Sequence, residues 1–385
     1  MTADGDRPLR VLLLLGTSGG GVGRHVRALA AALVDDGHTV TVAGPASTEH
    51  DFGFTAVGAR FAVVEVRQSP HPVTDVRATV AIGRLARGAD VMHTHGLRVG
   101  GLAVLARRGG TPLVVTLHNA LLARGVGGSP VRAAYAVLER LVARGADVVL
   151  GVSSDLESRL AQLGARDVRH AVVPAPASLQ PTATPARTRV TLDVGDRLVV
   201  LCVARLAEQK GLPLLLDAVA LLGQGKGADE LVVLVAGDGP LRQPLQARID
   251  AQRLPVRLLG WRDDVADLIA AADVVVSAAV WEGQPIAVQQ ALQAGRALVA
   301  TDVGGTAEVT GDAAVLVPRN DPRALADALR RVLDDPGLRT RLEAAATARA
   351  AALPTDADAL AAALEVYRSV TGRVPPMHRG RGLVQ

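Results

Sequence analysis

Short apolar runs alternate along most of the chain with longer segments whose apolar positions recur at helical spacing. In the first half the strand-like runs are Val11–Leu15, Thr39–Ala43, Ala62–Val66, Val91–Thr94, Leu113–Thr116 and Val148–Gly151. Helical stretches such as Arg24–Val34 and Pro130–Ala143 separate most of them. The runs are continuously apolar, as expected of strands covered on both faces. Alternation of this kind builds a parallel sheet between helical layers. Periodicity breaks where Pro174, Pro176, Pro181 and Pro185 fall close together, the pattern of a linker. A second series follows: Leu198–Val203, Leu231–Ala236, Val256–Leu259, Val274–Ser277, Ala297–Ala300 and Ala314–Val317. Helices over Pro322–Leu333, Leu338–Ala351 and Asp356–Val370 close it.

The pattern therefore predicts an α/β protein with two tandem, doubly wound Rossmann-like domains. Residues 1–175 form the first, 176–195 a Pro-rich linker and 196–352 the second. A terminal helix spans 353–372, and 373–385 form a disordered tail. Ligands of such sheets sit at the carboxyl ends of the strands, so the loops after the strands are where chemistry is expected.

Composition narrows the picture. Among 385 residues 49% are hydrophobic but only 2% aromatic, so the cores must be Leu/Val/Ala packing and a base finds few stacking partners. Arginine accounts for all basic residues except Lys210 and Lys226, which makes each lysine worth inspection. The net charge of +4 is uneven: residues 1–180 hold 19 basic and 14 acidic side chains. Such a half could meet anionic lipid heads or an anionic acceptor, although a solvated Arg-rich surface is the favoured and simpler reading. No basic block interleaved with aromatics points to nucleic acid. The single Cys202 excludes an intrachain disulfide and a multi-Cys zinc site, and it reads as buried and inert. No apolar stretch reaches the ~18–20 residues needed to span a bilayer. A cytoplasmic protein, at most peripheral at the inner membrane face, is expected.

Three segments carry candidate chemistry. Gly16-Thr-Ser-Gly-Gly-Gly-Val-Gly23 joins the first strand to the first helix. Its glycines miss the dinucleotide spacing, and no Lys-Ser/Thr follows as in a Walker loop. Gly16-x-Ser18-x-Gly20 fits a hydrolase elbow, but such elbows do not normally open a fold. A loop that brings bare N–H groups to a phosphate or hydroxylated ligand, or a tight turn only, remain as readings. Arg205 and Lys210 follow the strand Leu198–Val203; two cations there suit a diphosphate, whereas a surface pair of Lys210 with Glu208 is the plain alternative. Trp281-Glu-Gly-Gln-Pro-Ile-Ala-Val-Gln-Gln-Ala291 opens a helix whose free N–H groups would attract donor oxygens. Glu282 and Gln290 stand eight residues apart, a little over two turns. His93 and His95 form an H-x-H without an evident third metal ligand, and His38 reads as a turn histidine.

The motifs together resemble the GT-B-fold, retaining family-4 glycosyltransferases. The second half offers Arg205…Lys210-Gly211, Ala236-Gly-Asp-Gly-Pro240, Gly260, Ala272-Asp273, Ser277…Glu282-Gly-x-Pro285…Ala291, Gly295 and Thr301-Asp-Val-Gly-Gly305…Glu308. The first half offers the glycine loop, Asp90-Val-Met-His-Thr-His-Gly96 and Thr116-Leu-His118. The resemblance implies two domains facing a central cleft and transfer of a sugar from a UDP- or GDP-sugar to a hydroxyl, with retention. It implies catalytic roles for Arg205 and Lys210 on the diphosphate, Glu282 on the sugar and His118 near sugar and phosphate. Gly20, Gly21, Gly237, Trp261, Gly283, Pro285, Ile286 and Gln290 would bind the donor, and His93, His95 and Asn119 would line the acceptor side. No metal and no cofactor are implied, the nucleotide sugar being a co-substrate. The acceptor would be a small molecule, a lipid or a glycan, with weak peripheral membrane contact as a further expectation and no nucleic-acid partner.

One position departs from the family. Residue 290, where the second Glu of the E-x7-E motif stands, is Gln. An amide offers a ribose one carbonyl oxygen and an NH2 in place of a charged acceptor, at a cost of roughly 1–2 kcal/mol. A catalytically idle nucleotide-sugar-binding protein, or an epimerase, are the alternatives.

Overall fold

The computed structural model describes residues 7–17, 20–67, 71–107, 110–119, 129–175, 180–222 and 230–372, without the side chains of 129–132. The chain divides into two compact units, with Pro174–Leu353 forming the second and the segment from Pro354 belonging to the first.

The first unit runs β1 (Arg10–Leu15), α1 (Gly21–Asp35), β2 (Thr39–Gly44), α2 (Ala46–Phe52), β3 (Arg60–Val63), α3 (Pro72–Ala86), β4 (Val91–His95) and α4 (Leu97–Ala106). It continues through β5 (Leu113–Leu117), α5 (Ser129–Gly145), β6 (Val148–Gly151), α6 (Ser154–Gln162) and β7 (Val168–His170). The second unit runs α7 (Pro185–Thr191), β8 (Leu198–Val203), α8 (Leu212–Leu222), β9 (Leu231–Ala236), α9 (Arg242–Gln252), β10 (Val256–Gly260), α10 (Val265–Ala271) and β11 (Val274–Ser277). Then come α11 (Ile286–Gln293), β12 (Leu298–Thr301), α12 (Thr306–Thr310), β13 (Val315–Val317), α13 (Pro322–Asp334) and α14 (Pro336–Ala351). The helix α15 (Asp356–Thr371) returns to the first unit, where it packs on α1 and β4.

Both sheets are parallel, with orders β3-β2-β1-β4-β5-β6-β7 and β10-β9-β8-β11-β12-β13. β1, β4 and β5 are buried at every position except Arg10, which explains the apolar spelling of β1 and β5, whereas β4 (Val-Met-His-Thr-His) buries polar side chains in its second half. Each order reverses at one place, between β1 and β4 and between β8 and β11. At such switch points the flanking loops leave in opposite directions and open a crevice for ligands.

Two details differ from the apolar pattern. β3 covers Arg60–Val63, not the run from Ala62 to Val66: Val64 and Val66 are buried, but β2 ends at Gly44, whose carbonyl takes the Val64 amide at 2.8 Å. β7 is an additional edge strand of three residues, too short and too polar (Val-Arg-His) to stand out. In the Pro-rich stretch, α7 starts on Pro185 with Thr184 as its cap, and it packs on α10. Asp267 of α10 accepts from the Thr182 and Ala183 amides at 2.6 and 3.0 Å, fastening the segment before α7. The expected disordered tail, 373–385, lies outside the described residues.

Candidate functional site

In the second unit the switch point gathers the loops after β8 and β11. Lys210 Nζ donates to Glu282 Oε1, and both side chains are largely shielded from solvent. Lys210 thus pairs with Glu282 and not with Glu208. Arg205, on the same loop, is exposed and has no ion-pair partner among the described residues. The Cys202 thiol is buried, which pushes it up to about 12; Lys210 pulls it down and Glu282 up by smaller amounts. A thiol so held stays protonated and inert.

Backbone contacts hold these loops in one arrangement. The Val280 amide donates to the Gln209 carbonyl at 2.8 Å, and Gln209 Nε2 donates to the Trp281 carbonyl at 3.0 Å. From the next loop, the Gly305 amide donates to the Glu282 carbonyl at 2.9 Å. Two glycines make the approach possible. Gly211 (φ 61°) and Gly304 (φ 53°) would each place a Cβ 1.8 Å from a carbonyl oxygen, that of Ala278 and that of Glu282 respectively. Any side chain there would push the Lys210 or the Glu282 loop away. Charge held by a fixed backbone needs little reorganisation when a ligand arrives. α11 begins at Ile286 after Pro285 with no side-chain cap, so its first N–H groups have no side-chain partner at that end.

The other expected donor residues are placed variously. Gly283 is buried beside Glu282. The Gly237 amide donates to the Gly260 carbonyl at 2.8 Å, so that N–H is already engaged. Trp261 is 70% exposed, with Nε1 donating to Asp263 at 3.1 Å. Gln290 is half-buried and helps line a cavity of about 230 Å3 with Gln293 and Arg296 of the same region and Ile269 of α10. Its neighbour Gln289 is the buried one: Oε1 accepts from the Ala175 amide at 2.9 Å and Nε2 donates to Gln284 at 3.0 Å.

In the first unit the switch point collects histidines. His95 ends β4 and His118 follows β5, with His95 Nδ1 3.1 Å from His118 Nε2 and the rings stacked at 5.4 Å. His25 of α1 meets both edge-on, at 5.5 and 5.7 Å. His95 Nε2 is buried without a hydrogen-bond partner. His93 lies deeper, with Nδ1 2.7 Å from the Tyr367 hydroxyl of α15 and Nε2 2.7 Å from the Thr116 hydroxyl. Both of its nitrogens are therefore engaged, which separates it from His95 as a ligand group. Burial lowers all four: His25 to about 4, His93 to about 3, His95 and His118 well below the usual imidazole value, with neighbouring rings adding to the effect for the last three. The cluster is neutral, each ring offering one donor and one acceptor. Asn119 beside His118 is exposed.

At the glycine loop, Gly20 (φ 90°) precedes α1, which has no side-chain cap, and Gly21 is the first helical residue. Gly23 serves packing, since a Cβ there would sit 2.2 Å from the Phe52 ring. Ser18, of the elbow reading, lies outside the described residues. Sequence reasoning missed His25 and Tyr367. His25 stands five residues after Gly20, just over one helical turn, and that spacing was its only signal.

Residues 197–335 match the family described as glycosyl transferases group 1, and residues 20–176 match a glycosyl transferase 4-like domain. An alpha-D-kanosaminyltransferase of Streptomyces kanamyceticus is 31% identical over 290 residues, covering 69% of this chain and 73% of the relative. The chain belongs to the group 1 glycosyl transferases. A D-inositol 3-phosphate glycosyltransferase of Kineococcus radiotolerans is 33% identical to this transferase over 321 residues, 73% of one chain and 72% of the other. In architecture the transferase is similar to Anabaena HepE, solved with UDP and glucose: TM-score 0.78, 20% identity, 94% of this chain and 100% of that one. The fold is thus GT-B, with two parallel-sheet Rossmann-like domains. Among the described residues no helix is long and apolar enough to cross a membrane, and no three His, Cys, Asp or Glu side chains are grouped to hold a metal.

Proposed function

We propose that this transferase moves a sugar from a nucleoside diphosphate to a hydroxyl acceptor, with retention of anomeric configuration and no required metal. The observation that carries the reading is the Lys210–Glu282 pair beside exposed Arg205 at the switch point of the second sheet. As the bond from the anomeric carbon to the phosphate oxygen breaks, negative charge builds on the diphosphate. Lys210 and Arg205 offset that charge, the work a metal would otherwise do. Once the pyrophosphate engages Lys210, the Glu282 carboxylate is released to accept from sugar hydroxyls. The acceptor oxygen bonds the anomeric carbon on the face the nucleotide leaves, and its proton passes to the departing phosphate oxygen. The products are a glycoside and a nucleoside diphosphate. Gln290 contacts the ribose, taking the place of the family's second Glu. In the first unit the neutral rings of His95 and His118, with Asn119 and the uncapped start of α1 at Gly20 and Gly21, meet hydroxyls by hydrogen bonding.

Relatives support the substrate class: an Escherichia coli relative, 25% identical over 278 residues, is named as a UDP-Gal-dependent galactosyltransferase acting on a diphosphoundecaprenol-linked sugar. The test is a thermal-shift series with UDP- and GDP-sugars in the presence of a chelator, followed by NMR of the product anomer. A matching donor at 100 times its Kd should stabilise the protein by about 2.7 kcal/mol. Inverted product, or binding that needs added metal, overturns the corresponding part. Gln290→Glu should tighten the donor about fivefold; weaker binding would favour the second reading, a site rebuilt around the amide for binding without transfer.

A further inference from the structure

The outer face of α3 has an unusual make-up. At 100° per residue, Val73, Val76, Arg77, Val80, Arg84 and the C-cap Arg87 fall within one sector of about 100°. The opposite side, Ala78, Ile82 and Ala86, is buried against the unit. The three valines are 56%, 64% and 46% exposed. Valine is a poor choice for a solvated helix position, both by propensity and by the apolar surface it leaves in water. Single exposed valines need no explanation; three on one helical stripe do.

The charges beside them all have one sign. Arg77, Arg84 and Arg87 are exposed and have no ion-pair partner among the described residues. The helix has one acid, Asp75, and Arg98 of α4 takes it at 2.5 Å, on the side facing α4. Exposed Arg67 adds a fourth cation just before the helix, its carbonyl held by Arg98 Nε at 2.6 Å. A convex face of valines and arginines, without acid and without the aromatic anchors of a protein hot spot, matches a surface that is apolar at depth and anionic at the top.

We propose that α3 docks this transferase on an anionic membrane surface, valines toward the acyl boundary and arginines among the headgroups. α3 starts at the carboxyl end of β3, so its N-terminus lies at the same end of the sheet as His95, His118 and the Gly20 loop. Docking there brings those residues toward the bilayer surface, where a lipid-borne acceptor presents its hydroxyl.

Sedimentation of the full chain with vesicles tests this. Vesicles of phosphatidylcholine with phosphatidylglycerol should pull down the protein, vesicles of phosphatidylcholine alone should not, and salt should weaken the binding. Arg77→Gln, Arg84→Gln and Arg87→Gln together should lower partitioning about 100-fold, near fivefold per charge. Val73→Ser, Val76→Ser and Val80→Ser should lower it further while leaving donor-induced thermal stabilisation unchanged, which separates this proposal from the reaction assigned above. A wild-type protein that ignores anionic vesicles, or one whose binding survives both sets of changes, overturns the proposal. Retention on a polyglutamate resin without vesicle binding would replace the membrane with an acidic protein.

Discussion

The two units share a topology and divide their chemistry. Both lysines lie after residue 200, and residues 174–353 contain no histidine, whereas eight of the nine histidines lie between residues 25 and 170. At the switch point of the second sheet stands a fixed ion pair with a further cation, Arg205, that is unpaired among the described residues; at that of the first stand imidazoles that burial keeps neutral. The same crevice, opened by the same reversal of strand order, is suited in one case to a charged group and in the other to hydroxyls. Topology provides the place, and the residue types at the strand ends decide what it handles.

Removing the charge should have the largest effect. Lys210→Ala should lower kcat/KM for transfer about 10³-fold, with the melting transition nearly unchanged. Steady-state kinetics with a saturating acceptor checks this, and turnover within tenfold of wild type would reduce the pair to a structural contact.

Acid should break the comparison from the other side. His25 and His93 titrate near 4 and 3 in the folded protein but near 6.5 when unfolded. Below pH 6.5 the unfolded chain therefore binds more protons, and stability falls as pH drops toward 4; above 6.5 it is unaffected. Each histidine contributes up to about 1.4 kcal/mol per pH unit in that window. The loss belongs to the first unit. The chain has suitable reporters, with both tyrosines at 135 and 367 and both tryptophans at 261 and 281. On acidification in mild urea the tyrosine near-ultraviolet dichroism should change before selectively excited tryptophan fluorescence does. Simultaneous transitions would show that the units unfold together.

The smallest effect sharpens the assignment of His93. Tyr367→Phe removes the partner of a buried ring nitrogen and should cost about 1–3 kcal/mol in urea denaturation. Turnover at a temperature where the variant is folded should stay close to wild type, because His93 faces inward. A large loss of kcat would return His93 to the substrate side.

Much of this was legible in the sequence. Of the strands that build the switch points, β1, β8 and β11 were spelled as apolar runs, and Arg205, Lys210 and Glu282 stand in the loops after β8 and β11 because strand ends are where such sheets expose side chains. What escaped depends on contacts that no local pattern records. Tyr367 lies 274 positions from the His93 it bonds. β7 earns its place by pairing with β6, not by propensity. Glu208 was the only ion-pair partner that the sequence suggested for Lys210; the pairing with Glu282 depends on Gly211, whose missing side chain lets the β8 and β11 loops meet. Gln289 and Gln290 read alike in sequence, and only burial tells that one supports the chain and the other borders a cavity.

The return of α15 has a consequence for synthesis. Ala363, Leu364, Val366 and Tyr367 belong to the core of the first unit, yet they leave the ribosome after the whole second unit. The domain translated earliest must wait, its flank of apolar side chains uncovered, until the domain translated later has emerged. Chaperone engagement during that interval, and the vulnerability of nascent chains halted before residue 356, follow from this order of assembly.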